Sequence, residues 1–200
     1  MSTKRDDRWL DDWLTLMAGH AAGRPVLELG CGSGRDSRYL SNNGFSILAL
    51  DISAASLAEC VRIGRCLPVC ADVSRPLPFR DSTFGVVVAS LCLHYFSWQD
   101  TRRIVGELRR VLEPNGMLLV RVNAYDDFNF GACKGVEIEQ NYYLYEGRKK
   151  RFFDRDSVDS LLKDFDVKSL HHKEIDRYQN SKMVWEAHAI AAPTGRGQDK

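Results

Sequence analysis

A chain of 200 residues is long enough to bury one well-formed core and short for two, so one domain is expected, spanning residues 1–192. Its 28 Lys and Arg against 27 Asp and Glu leave a formal charge of +1, which excludes a global field able to hold a polyanion; nucleic acid is not the default partner. No apolar run approaches the roughly twenty residues that a membrane span needs. Met1 to Trp9 is charged at Lys4, Arg5, Asp6, Asp7 and Arg8 with no apolar stretch, so the expectation is a cytoplasmic protein off the membrane.

Arg8 to Ala22 sets Trp9, Leu10, Trp13, Leu14, Leu16 and Met17 at helical spacing and predicts an amphipathic helix, with residues 1–22 serving as an N-terminal lid. Pro25 to Leu29 reads as the first strand and Arg35 to Asn42 as a helix closed by Asn43-Gly44. Phe45 to Leu50 is a second strand ending at Asp51. Ser53 is placed to cap a helix running to Ile63, and Cys66 to Ala71 is a short third strand ending at Asp72. Three strand–helix alternations argue for a parallel sheet covered on both faces.

Phe84 to Leu93 is almost wholly apolar and predicts a central strand with His94 and Tyr95 at its end. Asp100 to Leu112 reads as a surface helix, Glu113 to Gly116 as a turn and Met117 to Val122 as a fifth strand. Asn123 to Arg151 is too long for a plain connection and rich in aromatic and acidic residues, which suits an ordered pocket wall on the substrate side. A helix is expected at Asp154 to Leu162 and antiparallel closing strands at Phe165 to Leu170 and Met183 to Ala191; residues 193–200 read as a disordered tail. The six cysteines form no C-x-x-C pair and read as reduced, buried thiols.

The chemistry is concentrated in Glu28-Leu29-Gly30-Cys31-Gly32-Ser33-Gly34, directly behind an apolar run and answered by Asp51 after the next one. Glycines at the carboxyl end of a first strand permit a tight turn and close approach of a ligand to the main chain, and an acid about twenty residues on suits ribose hydroxyls. The spacing is G-x-G-x-G, with Arg35 where a dinucleotide fingerprint has its third glycine. Glu28 would repel a pyrophosphate and welcome an ammonium or sulfonium. A cationic nucleoside ligand fits better than a nicotinamide dinucleotide, whose reductases are a remote alternative.

Val26 to Gly34 resembles motif I of the class I S-adenosylmethionine-dependent methyltransferases, and the likeness extends over Arg24 to Val122. Gly34-Arg35-Asp36-Ser37, Lys150-Arg151-Phe152-Phe153-Asp154, Asp176-Arg177-Tyr178 and Val184-Trp185-Glu186 look like the small-molecule branch, similar to the tellurite-resistance-type and thiopurine-type enzymes. The resemblance implies an α/β, Rossmann-like fold, with a seven-stranded, mostly parallel sheet between helices and a last strand inserted antiparallel. It implies S-adenosyl-L-methionine as cofactor, with S-adenosyl-L-homocysteine as product. Glu28, Gly30, Cys31 and Gly32 would then line the methionine part and Asp51 the ribose, with Ile52 beside it. Asp72 and the Val73 amide would meet the adenine edge, and Ser90 would reach in from the fourth strand. The Pro-Pro-aromatic signature of exocyclic-amine base methylation is replaced by Leu91-Cys92-Leu93-His94-Tyr95, and no cysteine is set for carbon-5 methylation.

Transfer from a sulfonium needs alignment and exclusion of water more than a dedicated base. His94 is the candidate base, and Tyr125, Asp126, Tyr142 and Tyr143 are candidate substrate contacts. No metal is expected, since the neighbours His171 and His172 would point to opposite faces of a strand. The expected acceptor is a small molecule. The alternatives are a protein or RNA acceptor docked through Arg148 to Arg151, and a catalytically silent cofactor-binding protein. Oligomeric state is not legible.

Overall fold

The computed structural model describes residues 8–176 and 179–192, so the expected tail at 193–200 lies outside the described residues. A seven-stranded sheet is built from β1 (Val26–Leu29), β2 (Ile47–Asp51), β3 (Cys66–Cys70), β4 (Phe84–Ser90), β5 (Leu112–Asn123), β9 (Phe165–Ile175) and β10 (Lys182–Ala191). Their order is β3-β2-β1-β4-β5-β10-β9. The first five run parallel, while β10 enters antiparallel between β5 and β9. This is the sheet that the family resemblance implies, and its parallel part is the one expected from the strand–helix alternation.

The parallel strands are apolar because both faces are covered. Leu27, Leu29, Val87, Ala89, Leu118 and Val120 face one core, and Val26, Val86, Val88, Met117 and Leu119 face the other. The first core is covered by α4 (Trp98–Val111) through Ile104, Val105 and Leu108, and by α5 (Arg155–Leu161) through Val158 and Leu161. The second is covered by α1 (Leu14–Ala21), α2 (Arg35–Asn42) and α3 (Ala54–Ile63), which contribute Met17, Leu40 and Leu57. Gly85 lies against the carbonyl of His20, where any Cβ would overlap the oxygen, so α1 sits directly on β4.

The local corrections have physical reasons. The predicted helix from Arg8 opens instead as a 3-10 turn at Asp11–Trp13, and its described part is packed into the core through Trp9, Leu10 and Met17. Residues 1–7 of the expected lid lie outside the described residues. Strand β4 stops at Ser90, not Leu93, because Leu91 takes φ 54° and the chain enters a 3-10 turn at Leu93–Tyr95. Helix α4 begins at Trp98, two residues before the predicted start, with Ser97 Oγ accepting the Asp100 amide at 3.1 Å. The expected turn at Glu113 to Gly116 survives as an irregularity inside β5, where the register jumps from Phe84↔Leu112 to Val86↔Met117.

The Asn123 to Arg151 excursion is ordered. It forms a 3-10 turn at Phe128–Phe130 and an antiparallel sheet of β6 (Val136–Glu139), β7 (Tyr142–Tyr145) and β8 (Arg148–Arg151). All six cysteines are free thiols, but Cys70 and Cys133 are exposed, contrary to the expectation of burial. Cys70 lies on β3, an edge strand, and Cys133 precedes the exposed β6. Among the described residues no helix is long and apolar enough to cross a membrane.

Candidate functional site

Strands β1 and β4 are neighbours whose following helices leave in different directions, and a cleft opens beyond their carboxyl ends. A cavity of about 490 Å³ lies there. Gly30, Cys31 and Gly32 after β1, Asp51 and Ile52 after β2, Asp72 and Val73 after β3, and Ser90 ending β4 all border it. Eight of the nine expected cofactor residues are thus brought together from four strand ends. A second groove, of about 520 Å³, runs between α4 and α5 and contains none of them.

Asp51 organises the floor. Its Oδ2 accepts the Gly32 amide at 2.8 Å and its Oδ1 accepts the Ser53 amide at 2.9 Å, while Ser53 Oγ accepts Ser56 N–H at the start of α3. Gly32 itself sits at φ +53° with no heavy atom within 4 Å of where a Cβ would stand, so its main chain is open to a ligand. Gly34, at φ +84°, is needed for close packing: a Cβ there would meet Cys60 Sγ at 2.5 Å. Asp72 is held below the usual carboxylate range by its hydrogen bonds from Ser74, so it faces the cleft as an anion. Ile52 is 68% exposed, an apolar side chain beside the cavity that a flat ring would cover.

Glu28 is the exception among the expected cofactor contacts. It is 4% exposed, does not border the cavity, and accepts the Ser37 hydroxyl of α2, because it occupies the β1 face turned toward that helix. Its charge is felt behind the loop, where burial first and Glu28 second push the Cys31 thiol upward, and the same causes push Cys92 up to about 12.

The far wall comes from residues the sequence reading did not assign: Leu91, Cys92, Tyr95 and Phe96, with Ser33 and Arg35 across the cleft. The two aromatics after the fourth apolar run were the available signal. The added sheet holds this wall through its main chain: Tyr142 Oη donates to the Tyr95 carbonyl at 2.9 Å and Arg151 Nε to that of Phe96 at 3.2 Å. Tyr142 is therefore a wall support. Tyr143 Oη lies 3.9 Å from Cys133 Sγ, Asp126 Oδ1 is 2.9 Å from His172 Nε2, and Tyr125 is 49% exposed. None of the four borders the cavity. His94 lies in the 3-10 turn between wall residues, 6% exposed, and burial together with Lys182 and Lys150 drives its pKa well below the ordinary histidine value. It is a neutral imidazole at pH 7.

A family model described as a methyltransferase domain matches residues 27–120, the segment from β1 through β5. Residues 27–120 thus carry a methyltransferase domain, and over this segment the chain resembles the class I S-adenosylmethionine-dependent methyltransferases. It is 34% identical over 141 residues to a malonyl-[acyl-carrier protein] O-methyltransferase of Enterobacter lignolyticus, an alignment covering 68% of this chain and 52% of that protein. It is 28% identical over 161 residues to a tRNA N(3)-cytidine methyltransferase of Gallus gallus, covering 72% and 43%. The chain thus spans about half the length of these curated relatives. The crystal structure of an S-adenosylmethionine-dependent methyltransferase from Mesorhizobium loti shares the fold at a TM-score of 0.71, with 19% identity and coverage of 92% and 99%. These matches reach the class, not the tellurite-resistance branch. S-adenosylmethionine is the cofactor of that class, and the residues present suit it: an open glycine main chain, two acids at successive strand ends and an exposed apolar side chain between them.

Proposed function

We propose that this protein transfers the methyl group of S-adenosylmethionine to a small-molecule acceptor by in-line displacement. The observation that carries this reading is the convergence of the glycine loop, Asp51 and Asp72 on one cavity at the strand switch point. When bound, the cofactor supplies an activated methyl carbon on a sulfonium. Gly30, Cys31 and Gly32 would hold the amino-acid end by main-chain contact. Asp51 would accept from ribose hydroxyls with its remaining lone pairs, and Asp72 with the Val73 amide would take the adenine edge. Ser90 would mark the boundary between cofactor and acceptor.

His94 would take the proton of an acceptor hydroxyl or amine. A base must be unprotonated when the acceptor arrives, and its low pKa provides that at neutral pH. Tyr125, Asp126 and Tyr143 would reach an acceptor only at the mouth of the site, and Tyr142 would act on it through the Tyr95 wall.

The small-molecule acceptor is favoured over a polyanion by the fate of the basic run at Arg148 to Arg151. Arg151 is 4% exposed and bound to the Phe96 and Gln140 carbonyls and to Glu139, and Lys150 donates to the Phe130 carbonyl. Half of the run is thus spent inside the fold. Calorimetric titration with S-adenosylmethionine, S-adenosylhomocysteine and NADH tests the cofactor assignment, followed by labelled methyl transfer to small acceptors and to bulk tRNA. Micromolar affinity for both sulfur ligands, about −8 kcal/mol, with none for NADH is expected. Absence of both would overturn the reading, and salt-sensitive methylation of tRNA alone would replace the acceptor class.

A further inference from the structure

Three cysteines run from the cavity to the edge of the sheet. Cys31 lies in the glycine loop and borders the cavity; Cys60 is among the groups that raise its thiol, after burial and Glu28. Cys60, on the last turn of α3, is fully buried, and Cys66, the first residue of the edge strand β3, is partly exposed. The sulfur atoms of Cys60 and Cys66 lie 3.1 Å apart, about 1 Å more than the roughly 2.05 Å of an S–S bond. The Gly64 turn brings them together, with the Cys66 amide donating to the Gly64 carbonyl at 3.1 Å.

Cys60 is also the residue on which the end of the glycine loop packs. A Cβ at Gly34 would stand 2.5 Å from its sulfur, and that sulfur lies 3.4 Å from Ser37 Oγ, whose hydroxyl donates to Glu28. The Cys60 sulfur thus sits between two neighbourhoods, the loop with Ser37 and the Cys66 thiol, and a move toward the second withdraws it from the first. A thiol pair that closes readily needs one accessible sulfur to meet the oxidant and another within reach to displace it. Cys66 supplies the first and Cys60 the second. Cys70 and Cys133 are more exposed, but the partners of their sulfurs are the Ile52 carbonyl and the Tyr143 hydroxyl.

We propose that Cys60 and Cys66 are an oxidation site, closing to a disulfide that loosens the glycine loop. The oxidant is a small disulfide such as oxidised glutathione. The Cys66 thiolate attacks one of its sulfurs and releases one glutathione thiolate; the Cys60 thiolate then attacks the Cys66 sulfur of the mixed disulfide and releases the other. Two protein thiols are oxidised to one disulfide, the small disulfide is reduced to two thiols, and the two cysteine protons end on them. Burial and then Cys60 push the Cys66 thiol up to about 12, so the first step is slow near neutral pH and quickens as the pH rises. The effect on cofactor binding rests on the methyl-transfer reading, whereas the cross-link does not.

The full chain is incubated with oxidised glutathione at mildly alkaline pH, capped with iodoacetamide and cut with trypsin, which cleaves after Arg62 and Arg65 and so parts the two cysteines. A peptide pair joined through Cys60 and Cys66 is expected, released by dithiothreitol and missing from Cys66→Ser; fragmentation in the mass spectrometer tells Cys66 from Cys70. The mapping needs only the parent chain, so it decides even if the variant does not fold. S-adenosylhomocysteine should bind the cross-linked chain about fivefold or more weakly than the reduced one, while the same treatment leaves its affinity for Cys66→Ser unchanged. Glutathione adducts without the joined pair, or a link from Cys60 to Cys31 in its place, would overturn the site. Equal affinity of the cross-linked and reduced chains would overturn its hold on the loop. Failure of S-adenosylhomocysteine to bind the reduced chain, with the cross-link formed, would instead overturn the cofactor reading alone.

Discussion

The Gly32 amide donates to Asp51 Oδ2 at 2.8 Å, so the loop after β1 is tied to the tip of β2 by the same carboxylate that faces the cavity. Asp51 therefore shapes the main chain of the glycine loop, and under the proposed function the same carboxylate would offer its remaining lone pairs to the ribose. Asp51→Ala should weaken S-adenosylhomocysteine binding at least tenfold, since charge-assisted hydrogen bonds contribute about 1.5–3 kcal/mol each. Calorimetry on the purified variant, alongside its melting temperature, checks this. Unchanged affinity in a folded variant would defeat the ribose assignment.

Gly34 gives a second prediction, one about packing. A Cβ there would stand 2.5 Å from Cys60 Sγ and 2.8 Å from Cys60 Cα, at a φ of +84° that side chains rarely adopt. Gly34→Ala should destabilise the fold by about 1–3 kcal/mol through steric overlap and backbone strain. Adding Cys60→Ala should recover little, because the closest remaining atom belongs to the main chain of α3. Denaturant titration of the single and double variants decides; full recovery would show that only the thiol stood in the way.

The sheet and the cofactor cleft were legible in the sequence because each rests on local pattern: apolar runs such as Phe84 to Ala89 make buried strands, and glycines and acids at strand ends mark the switch point. What could not be read depends on distant pairs. Arg121 and Lys182 look like surface cations in a strand, and their burial follows from partners such as Asp127, 55 positions from Lys182. The end of β4 was misjudged because Leu91, an ordinary strand residue by composition, turns at positive φ. The β7–β8 hairpin had left a signal in Glu146-Gly147, both at positive φ between the aromatic run Tyr142–Tyr145 and the basic run Arg148–Arg151.

His94 links the site to acid stability. Its folded pKa lies below the ordinary value, so below about pH 6.5 the unfolded chain binds the proton more readily than the folded one. The stability contributed by this neutral imidazole is complete above that pH and is lost as the pH falls toward the folded value. The melting temperature should decline over this window, and His94→Gln should flatten that part of the decline. If His94 is the base, the same variant should lose about 10²- to 10⁴-fold in turnover while keeping its S-adenosylhomocysteine affinity. A loss of less than twofold would reduce His94 to a wall residue.

Lys182 and Asp127 make the sharpest test of how the cluster beside the site is held. Their ion pair, 2.5 Å between Nζ and Oδ2, is 3% and 1% exposed, and Asp127 Oδ1 also accepts the Met183 amide at 3.2 Å. Burial moves each partner toward neutrality, Lys182 down to about 8 and Asp127 upward. Lys182→Met should cost about 3–5 kcal/mol, because it strands a buried carboxylate. Lys182→Met with Asp127→Asn should cost clearly less than the sum of the two single changes, since the Asn oxygen can still accept from Met183. The lysine has its own pH signature. Between about 8 and its ordinary 10.5 the unfolded chain holds the lysine proton more than the folded one does, so this group adds stability as the pH rises through that window. Chemical denaturation from pH 8 to 10 should show that increment in the parent chain and not in Lys182→Met. Equal slopes in both would mean that the lysine keeps its full charge inside the fold.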